Sequence, residues 1–396
     1  MMSALKRLLA RFFTELEKDF STFRTQLGRF RAARPFEVVP YLTFGTPTHL
    51  FVRGRVIEEK GLQLATPDAS RWRNLSDTYK RFVSTKVPDA RVLVSYPGGE
   101  RELVTDANGY FTGELKLTEA APAGWCEVSY TLLSPQRQPR GDTPPTPPTA
   151  KGFVLIPDAR ARFGVISDID DTVVQTDVAR WLRVLGTVLF GNAYTRLPFR
   201  GVSAFYRALQ RGRGAGRNPL FYVSSSPWNL YDLLLEFLDL EQIPLGPLML
   251  RDWRGGAGEL FPAGHGDFKG GEIRRILDTY PELPFILIGD SGEQDPEIYG
   301  EIVSAYPGRI LAVYIRNVSG EARRGAVAQL AERVREMGSK LILADDTLAA
   351  AQHAAQEGWI DPQTLAEIRV RKERDTSLFD NAGETVATVI ERNVRA

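Results

Sequence analysis

Three carboxylates follow one short apolar run in the middle of the chain. Residues 163–167 read Phe-Gly-Val-Ile-Ser, which is typical of a buried strand, and Asp168, Asp170 and Asp171 come directly after them. Ligands of open α/β sheets bind outside the carboxyl ends of the strands, so this run would deliver the carboxylates to such a site. Carboxylates this close repel one another unless a cation joins them, and oxygen ligands suit a hard ion such as Mg²⁺. The alternative interpretation is an acidic turn that caps the following helix.

Three later segments share this arrangement, in which a polar side chain follows an apolar run or opens a helical pattern. The polar positions are Ser224, Ser225 and Ser226 after residues 220–223, Lys269 before a Gly-Gly pair, and Asp290 after residues 285–289, with Asp295 following. Apolar runs alternate with helical patterns throughout this half, which favours a parallel sheet with right-handed crossovers. The segments therefore predict one site at the carboxyl ends of several strands.

The order of these segments resembles the four motifs of the haloacid-dehalogenase-like phosphatases. The residues of three segments resemble the motifs of one family within this superfamily more closely. These segments are Asp-Ile-Asp-Asp-Thr, Tyr-Val-Ser-x-Ser-Pro-Trp-x-Leu and Gly-Asp-Ser-Gly-x-x-Asp-Pro-Glu-x-Tyr. That family is the catalytic domain of the actin-patch-associated phosphatidate phosphatases and their bacterial relatives. The resemblance covers about residues 155–320 well and the strand-rich region before them loosely.

The resemblance implies a catalytic role for each motif. Asp168 would attack phosphorus to form an aspartyl-phosphate, and Asp170 would protonate the departing alkoxide and then deprotonate the attacking water. Mg²⁺ would be held by Asp168, Asp290 and the backbone carbonyl of Asp170. Ser224 would hydrogen-bond a phosphoryl oxygen, and Lys269 would offset the charge that develops there.

Two further residues receive supporting roles from the same resemblance. Asp295 is expected to hold the water ligands of the metal rather than the metal itself, and Thr172 is expected to satisfy backbone groups of the turn. The choice among Ser224, Ser225 and Ser226 as the phosphate contact stays open, although the first serine after the strand is preferred.

Composition restricts the class of protein. With 396 residues the chain is long enough for two domains, and 43% apolar and 25% charged residues are typical of a soluble globular protein. The 50 Lys and Arg residues balance 49 Asp and Glu residues, so net charge gives no argument for nucleic acid as a partner. One cysteine, Cys126, cannot form an internal disulfide, and no apolar run approaches the length of a transmembrane helix. A cytoplasmic location is expected.

The N-terminal residues 1–34 are predicted to form an amphipathic basic helix. Their apolar side chains recur at steps of three and four and make one stripe, which consists of Leu5, Leu9, Phe12, Leu16, Phe20, Phe23, Leu27 and Phe30. Basic residues outnumber acidic ones, so residues 5–30 could lie on an anionic membrane surface. Packing of the stripe on protein is the alternative.

The remaining boundaries follow from changes of pattern. Short alternating segments predict a β-sandwich domain over residues 35–134, with a helix at 69–84 and a hairpin at Asn108-Gly109. Residues 135–150 are a Pro-rich linker. The expected fold class is α/β, a haloacid-dehalogenase-like Rossmannoid parallel sheet over residues 151–371 with a small cap at 181–192. A polar tail, residues 372–396, follows.

These features together predict a Mg²⁺-dependent phosphatase with an aspartyl-phosphate intermediate. The expected substrate is phosphatidate, which would give diacylglycerol and phosphate, and the lipid rests on the resemblance. The same chemistry on a soluble phosphomonoester is one alternative, and a non-enzymatic, membrane-associated scaffold is another. No protein partner is predicted.

Overall fold

The structure is a computed structural model that describes residues 36–58, 85–135, 147–169, 200–251 and 265–375, apart from residues 293 and 319. Several predictions fall on other parts of the chain, namely the helices at 1–34 and 69–84, the cap at 181–192, Asp170, Asp171, Thr172 and the tail beyond 375. They lie outside the described residues. Contacts group the chain into two compact units, the first ending at Ile156 but including Pro227–Leu233, and the second beginning at Pro157.

Nine strands make up the described core of the first unit. They are β1 (Phe36–Pro40), β2 (Thr43–Phe44), β3 (His49–Glu58), β4 (Thr85–Lys86), β5 (Arg91–Tyr96), β6 (Gly99–Val104), β7 (Tyr110–Lys116), β8 (Gly124–Ser134) and β9 (Thr149–Ile156). One sheet contains β1, β3, β4 and β7, and the other has the order β2-β9-β8-β5-β6. Alternate side chains of both sheets are buried in one apolar cluster, as expected for strands with one face inward. Cys126 belongs to this cluster, and burial raises the pKa of its thiol.

Two details of the first unit differ from the sequence predictions. Asn108 and Gly109 form a turn in which Gly109 has a φ of 78°, but β6 and β7 belong to different sheets, so the predicted hairpin is wrong. Thr149 and Ala150 begin β9, which pairs with β8 inside the first unit. The sequence prediction had included these two residues in the Pro-rich linker at 135–150. The turn chemistry of an Asn-Gly pair specifies a reversal of the chain and not the sheet to which each arm belongs.

The second unit alternates strands and helices. The elements of the chain after Pro157, most of whose residues belong to this unit, are β10 (Gly164–Asp168), α1 (Val202–Arg211), β11 (Leu220–Pro227), α2 (Tyr231–Leu240), β12 (Leu248–Arg251), α3 (His265–Thr279), β13 (Phe285–Asp290), α4 (Asp295–Ala305), β14 (Ile310–Arg316), α5 (Glu321–Glu336), β15 (Leu341–Ala344), α6 (Thr347–Gln356) and α7 (364–375). The strand order is β12-β11-β10-β13-β14-β15, and β10 is parallel to both of its neighbours. The predicted α/β class with a parallel sheet is confirmed. Among the described helices, none is both long and apolar enough to cross a bilayer.

Strand β10 lies where the direction of strand addition reverses. The chain first adds β11 and β12 on one side of β10 and then returns to add β13, β14 and β15 on the other. In open parallel sheets, the crevice outside the carboxyl ends of the strands at such a reversal is where ligands bind. The strands at this position are β11, β10 and β13, which carry three of the four predicted motifs.

Candidate active site

Two carboxylates end adjacent strands of the parallel sheet. Asp168 is the last residue of β10 and Asp290 is the last residue of β13, and both are buried, with exposures of 1% and 0%. The two strands are in parallel register, with Ser167 opposite Ile288. Because both strands stop at the same edge, the carboxylates meet there without any contribution from a flexible loop.

The ammonium group of Lys269 lies between two buried carboxylates. Its Nζ atom is 2.8 Å from Oδ1 of Asp168 and 2.7 Å from Oδ1 of Asp295. The side chain is 3% exposed and comes from α3, so its charge is held by packing as well as by the ion pairs. Charges buried this deeply are stable only when they are paired, which explains why the cation and its partners occur together.

Asp295 approaches the end of β13 closely because residue 289 is glycine. Its Oδ2 accepts a hydrogen bond of 3.2 Å from the backbone N–H of Asp290. A Cβ on Gly289 would lie only 2.4 Å from the same oxygen, so any side chain there would displace the carboxylate. Asp295 also begins α4, where the helix dipole favours a negative charge.

Three carboxylates converge at this edge of the sheet. Asp168, Asp290 and Asp295 each offer an oxygen, and these oxygens lie within 4.8 Å of one another. Among the four groups of this cluster, three carboxylates and the ammonium of Lys269 leave an excess of negative charge when all are ionised. An all-oxygen donor set with excess negative charge fits a hard divalent cation.

Ser224 lies within the neighbouring strand β11, which continues to Pro227, whereas the sequence placed this serine after the strand. It follows Val223, which is opposite Asp168 in the register of β10 and β11, and its side chain is fully buried. Its Oγ accepts a hydrogen bond of 2.9 Å from the N–H of Ser226, two residues further along the same strand. A hydroxyl can accept and donate at once, so this contact is compatible with donation to a phosphoryl oxygen.

The loop after β13 is held by hydrogen bonds that the sequence patterns do not reveal. Gly292 N–H donates to Oδ1 of Asp290 at 2.5 Å, and Ser291 N–H donates to the carbonyl of Arg316 at 2.9 Å. Arg323 of α5 donates from Nε to the carbonyl of Ser291 at 3.0 Å and pairs with Glu297. These contacts fix the orientation of the Asp290 carboxylate, and they depend on a helix that begins some 30 residues later in the chain.

A buried tyrosine supports the strand that ends at Asp290. The hydroxyl of Tyr299 donates to the carbonyl of Ile288 at 3.0 Å. Burial, followed by the nearby charge of Asp295, raises the pKa of Tyr299 well above its usual value, so the hydroxyl stays protonated and remains a donor.

The structure brings four of the predicted site residues together, namely Asp168, Lys269, Asp290 and Asp295, and places Ser224 on the adjacent strand. The expectation for Asp295 was contact with water ligands of a metal, whereas its oxygen lies in the same cluster as those of the other two aspartates. Asp170 and Thr172 lie outside the described residues. The individual roles stay predictions.

Residues 163–317 match the family model described as the catalytic domain of phosphatidate phosphatase APP1. The chain is 29% identical over 246 residues to phosphatidate phosphatase APP1 of Saccharomyces cerevisiae, which covers 61% of this chain and 40% of the yeast protein. It is also 29% identical over 163 residues to an uncharacterised protein of Schizosaccharomyces pombe, covering 41% of this chain and 26% of that protein. The chain thus spans well under half the length of these relatives.

Similarity to solved structures is low for the example that follows. A carbohydrate acetylesterase from Xanthomonas citri is 11% identical and aligns with 76% of this chain and 75% of its own, but the TM-score is 0.25. A likeness at that level carries no argument about fold. The sequence matches cover the same segment as the four motifs, and they confirm the resemblance of residues 163–317 to the catalytic domain of the phosphatidate phosphatase APP1 family.

Proposed function

We propose that this chain is a Mg²⁺-dependent phosphatidate phosphatase that acts through an aspartyl-phosphate on Asp168. The observation that carries the proposal is the buried Asp168–Lys269–Asp295 arrangement beside Asp290, in a segment similar to a phosphatidate phosphatase catalytic domain. The second unit would then have the haloacid-dehalogenase-like Rossmannoid fold, and the first unit would be the predicted β-sandwich.

The proposed reaction has two displacements at phosphorus. A carboxylate oxygen of Asp168 attacks phosphorus, and the bond to the alkoxide breaks as the alkoxide leaves with its electron pair and takes a proton. Water then attacks the phosphorus of the aspartyl-phosphate and loses a proton, the bond to Asp168 breaks, the Asp168 carboxylate is regenerated, and inorganic phosphate is released. By resemblance Asp170 donates the first proton and accepts the second.

Lys269 stabilises the ionised form of the proposed nucleophile, Asp168. Its ammonium contacts Asp168 directly, which favours the ionised carboxylate, and the same positive charge would offset charge on a phosphoryl group at that position. Ser224, on the next strand, would donate to a phosphoryl oxygen. Mg²⁺, held by Asp168, Asp290 and, by resemblance, the backbone carbonyl of Asp170, with Asp295 beside them, would supply charge neutralisation at the phosphoryl oxygens.

The lipid substrate rests on sequence similarity to the yeast enzyme. Residues 5–30, with their apolar stripe and excess of basic side chains, would bring a cytoplasmic protein to an anionic membrane surface where phosphatidate resides. A soluble phosphomonoester would need no such contact, so the two substrate classes can be separated by experiment.

The proposal is tested by phosphate release from phosphatidate in mixed micelles, with Mg²⁺ or EDTA. Asp168→Asn removes the nucleophile, and we expect no release above background. Asp278→Asn is the matched control, because Asp278 is an exposed aspartate of α3 whose carboxylate accepts a hydrogen bond from Tyr306. It should retain wild-type activity.

A parallel assay with para-nitrophenyl phosphate separates the alternatives. Mg²⁺-dependent release from phosphatidate that disappears in Asp168→Asn supports both the chemistry and the lipid. Turnover of the soluble ester alone keeps Asp168 as the nucleophile but removes the lipid substrate. A folded protein that binds Mg²⁺ and turns over neither substrate would overturn the enzymatic proposal in favour of a scaffold.

A further inference from the structure

A chain of hydrogen bonds runs from a buried tyrosine to the backbone of Asp168. The hydroxyl of Tyr206 on α1 lies 2.7 Å from Oγ of Ser167, and that Oγ donates to the carbonyl oxygen of Asp168 at 2.6 Å. Tyr206 and Ser167 are each 1% exposed. The three groups therefore form a buried connection between α1 and the end of β10.

The direction of each hydrogen bond follows from the number of protons. Ser167 has one hydroxyl proton, and it is used in the bond to the Asp168 carbonyl. The contact between the two hydroxyls therefore requires Tyr206 to donate to Ser167. Burial raises the pKa of Tyr206, which keeps its proton in place and is consistent with that direction.

The chain reaches Asp168 from the side opposite its carboxylate. Neighbouring side chains of a strand point to opposite faces of the sheet, so Ser167 faces α1 while the Asp168 carboxylate faces Lys269. The carbonyl that Ser167 holds belongs to the last peptide of β10, which connects Asp168 to Ile169. Its orientation sets both the direction of the Asp168 side chain and the path of the residues that follow.

We infer that Tyr206 and Ser167 are positioning residues for the phosphatase reaction, which hold the backbone of Asp168 so that its carboxylate stays aligned for attack. This inference rests on the proposed function. Neither residue touches the reacting atoms, so their loss changes the rate of the displacement rather than the binding of substrate. Small displacements of a nucleophile are costly because the reaction needs a near-attack geometry.

The test compares Ser167→Ala, Tyr206→Phe and the double variant with wild type, using phosphatidate in mixed micelles and para-nitrophenyl phosphate. We expect each single variant to lower kcat by about tenfold at unchanged KM. The double variant should lose no more than either single variant, since both changes interrupt one connection. The stoichiometry of Mg²⁺ binding, measured by calorimetry, should equal that of wild type. An unchanged stoichiometry would show that the variants keep an intact metal site.

Tyr222→Phe is the matched control. Tyr222 is also buried, its ring stacks on that of Tyr206 with centroids 6.5 Å apart, and its hydroxyl donates to the carbonyl of Pro244 at 2.6 Å. Its loss removes a buried tyrosine hydroxyl without interrupting the connection to Asp168. We expect wild-type kcat from this variant, even if its melting temperature falls as much as that of Tyr206→Phe.

Several results would overturn the inference while the proposed function stands. They are wild-type kcat in both single variants, losses that add in the double variant, or an equal loss of kcat in Tyr222→Phe. If Ser167→Ala does not fold, the comparison of Tyr206→Phe with Tyr222→Phe decides the matter alone. Absence of activity in the wild-type protein would instead overturn the proposed function, and the inference with it.

Discussion

Lys269 lies between the carboxylates of Asp168 and Asp295, and this position makes it both a structural and a chemical residue. Each of its ion pairs is shorter than 3 Å and almost fully withdrawn from solvent. Ion pairs in such surroundings add little net stability, because desolvation offsets the attraction, but removing one partner leaves uncompensated buried charge. The same ammonium keeps the proposed nucleophile ionised, so one substitution should affect folding and catalysis together.

Lys269→Met tests this dual role. In EDTA we expect the free energy of unfolding to fall by about 3–5 kcal/mol, since two buried carboxylates lose their shared cation. Phosphate release should fall by at least about 100-fold. Urea denaturation and the micelle assay measure the two effects.

Lys340→Met provides the control for Lys269→Met. Lys340 pairs with Glu357 at 2.7 Å, but its side chain is 49% exposed, so the loss should be below about 1 kcal/mol. Equal losses of stability in the two variants would contradict the argument that burial makes the Lys269 pairs critical.

For Asp295, residue type and spacing predicted that the residue belongs to the site but not where its carboxylate lies. Its spacing after Asp290 identified it as part of the site, and the structure places it there. Its distance from the other carboxylates depends on the missing side chain at Gly289 and on the start of α4. A sequence pattern shows neither the close packing at Gly289 nor the start of α4, and the role of Asp295 toward the metal stays a prediction.

At the scale of elements, the site depends on the junction between β13 and α4. The strand ends at Asp290, the helix begins at Asp295, and Gly289 allows the helix start to contact the strand end. This close approach brings the carboxylates of two consecutive elements, β13 and α4, into one cluster. The glycine is therefore required for packing rather than for an unusual backbone angle.

Gly289→Ala should disrupt this junction. A Cβ would lie 2.8 Å from the Cβ of Asp295 as well as 2.4 Å from its carboxylate oxygen, and the carboxylate cannot yield without losing Lys269 and the Asp290 N–H. We expect a loss of about 1–3 kcal/mol in the free energy of unfolding, together with loss of activity. Urea denaturation and the micelle assay again provide the measurement.

Gly325→Ala is the matched substitution for Gly289→Ala. Gly325 lies on the exposed side of α5, where an added Cβ meets no atom within 4 Å. Alanine there should increase stability by about 1 kcal/mol through helix propensity. If Gly289→Ala kept both the stability and the activity of wild type, the junction would be able to relax around the added Cβ. The close contact with Asp295 would then not explain the glycine at this position.

The order of strands and helices was largely predictable, and the exceptions have identifiable reasons. Apolar runs located β10, β11 and β13, because a central parallel strand is buried on both faces. Helix α1 was not predicted, although Val202, Phe205, Tyr206 and Leu209 recur at helical spacing. The hydrogen bond from Tyr206 to Ser167 joins residues 39 positions apart, and such a pairing is fixed only by the packing of α1 on the sheet.

At the scale of the whole molecule, stability should depend on pH through a half-buried histidine. The Nδ1 of His353 lies 2.9 Å from the hydroxyl of Tyr314, and its ring packs edge-on against Trp359. Burial lowers the pKa of His353, with Glu357 acting in the opposite direction and Lys340 in the same direction. The unfolded chain therefore binds a proton at a higher pH than the folded protein.

The sign of the dependence follows from this difference. Stability is fully present above the ordinary histidine pKa of about 6.5 and falls as pH decreases from there toward the lowered folded value. His353→Gln removes the titrating group, so its urea midpoint should change less than that of wild type between about pH 7.5 and about pH 5.5. Urea denaturation followed by circular dichroism gives both midpoints. Parallel profiles for the two proteins would show that another group titrates in this range.

The buried thiol of Cys126 has a practical consequence for the first unit. The chain contains one cysteine, and its sulfur lies in the shared core of the two sheets with a raised pKa, so it reacts slowly while that core is closed. Each modification by a thiol reagent therefore records an opening of the first unit, while residues of the second unit contribute no signal. The protein carries its own single-site probe of local unfolding, without an engineered label.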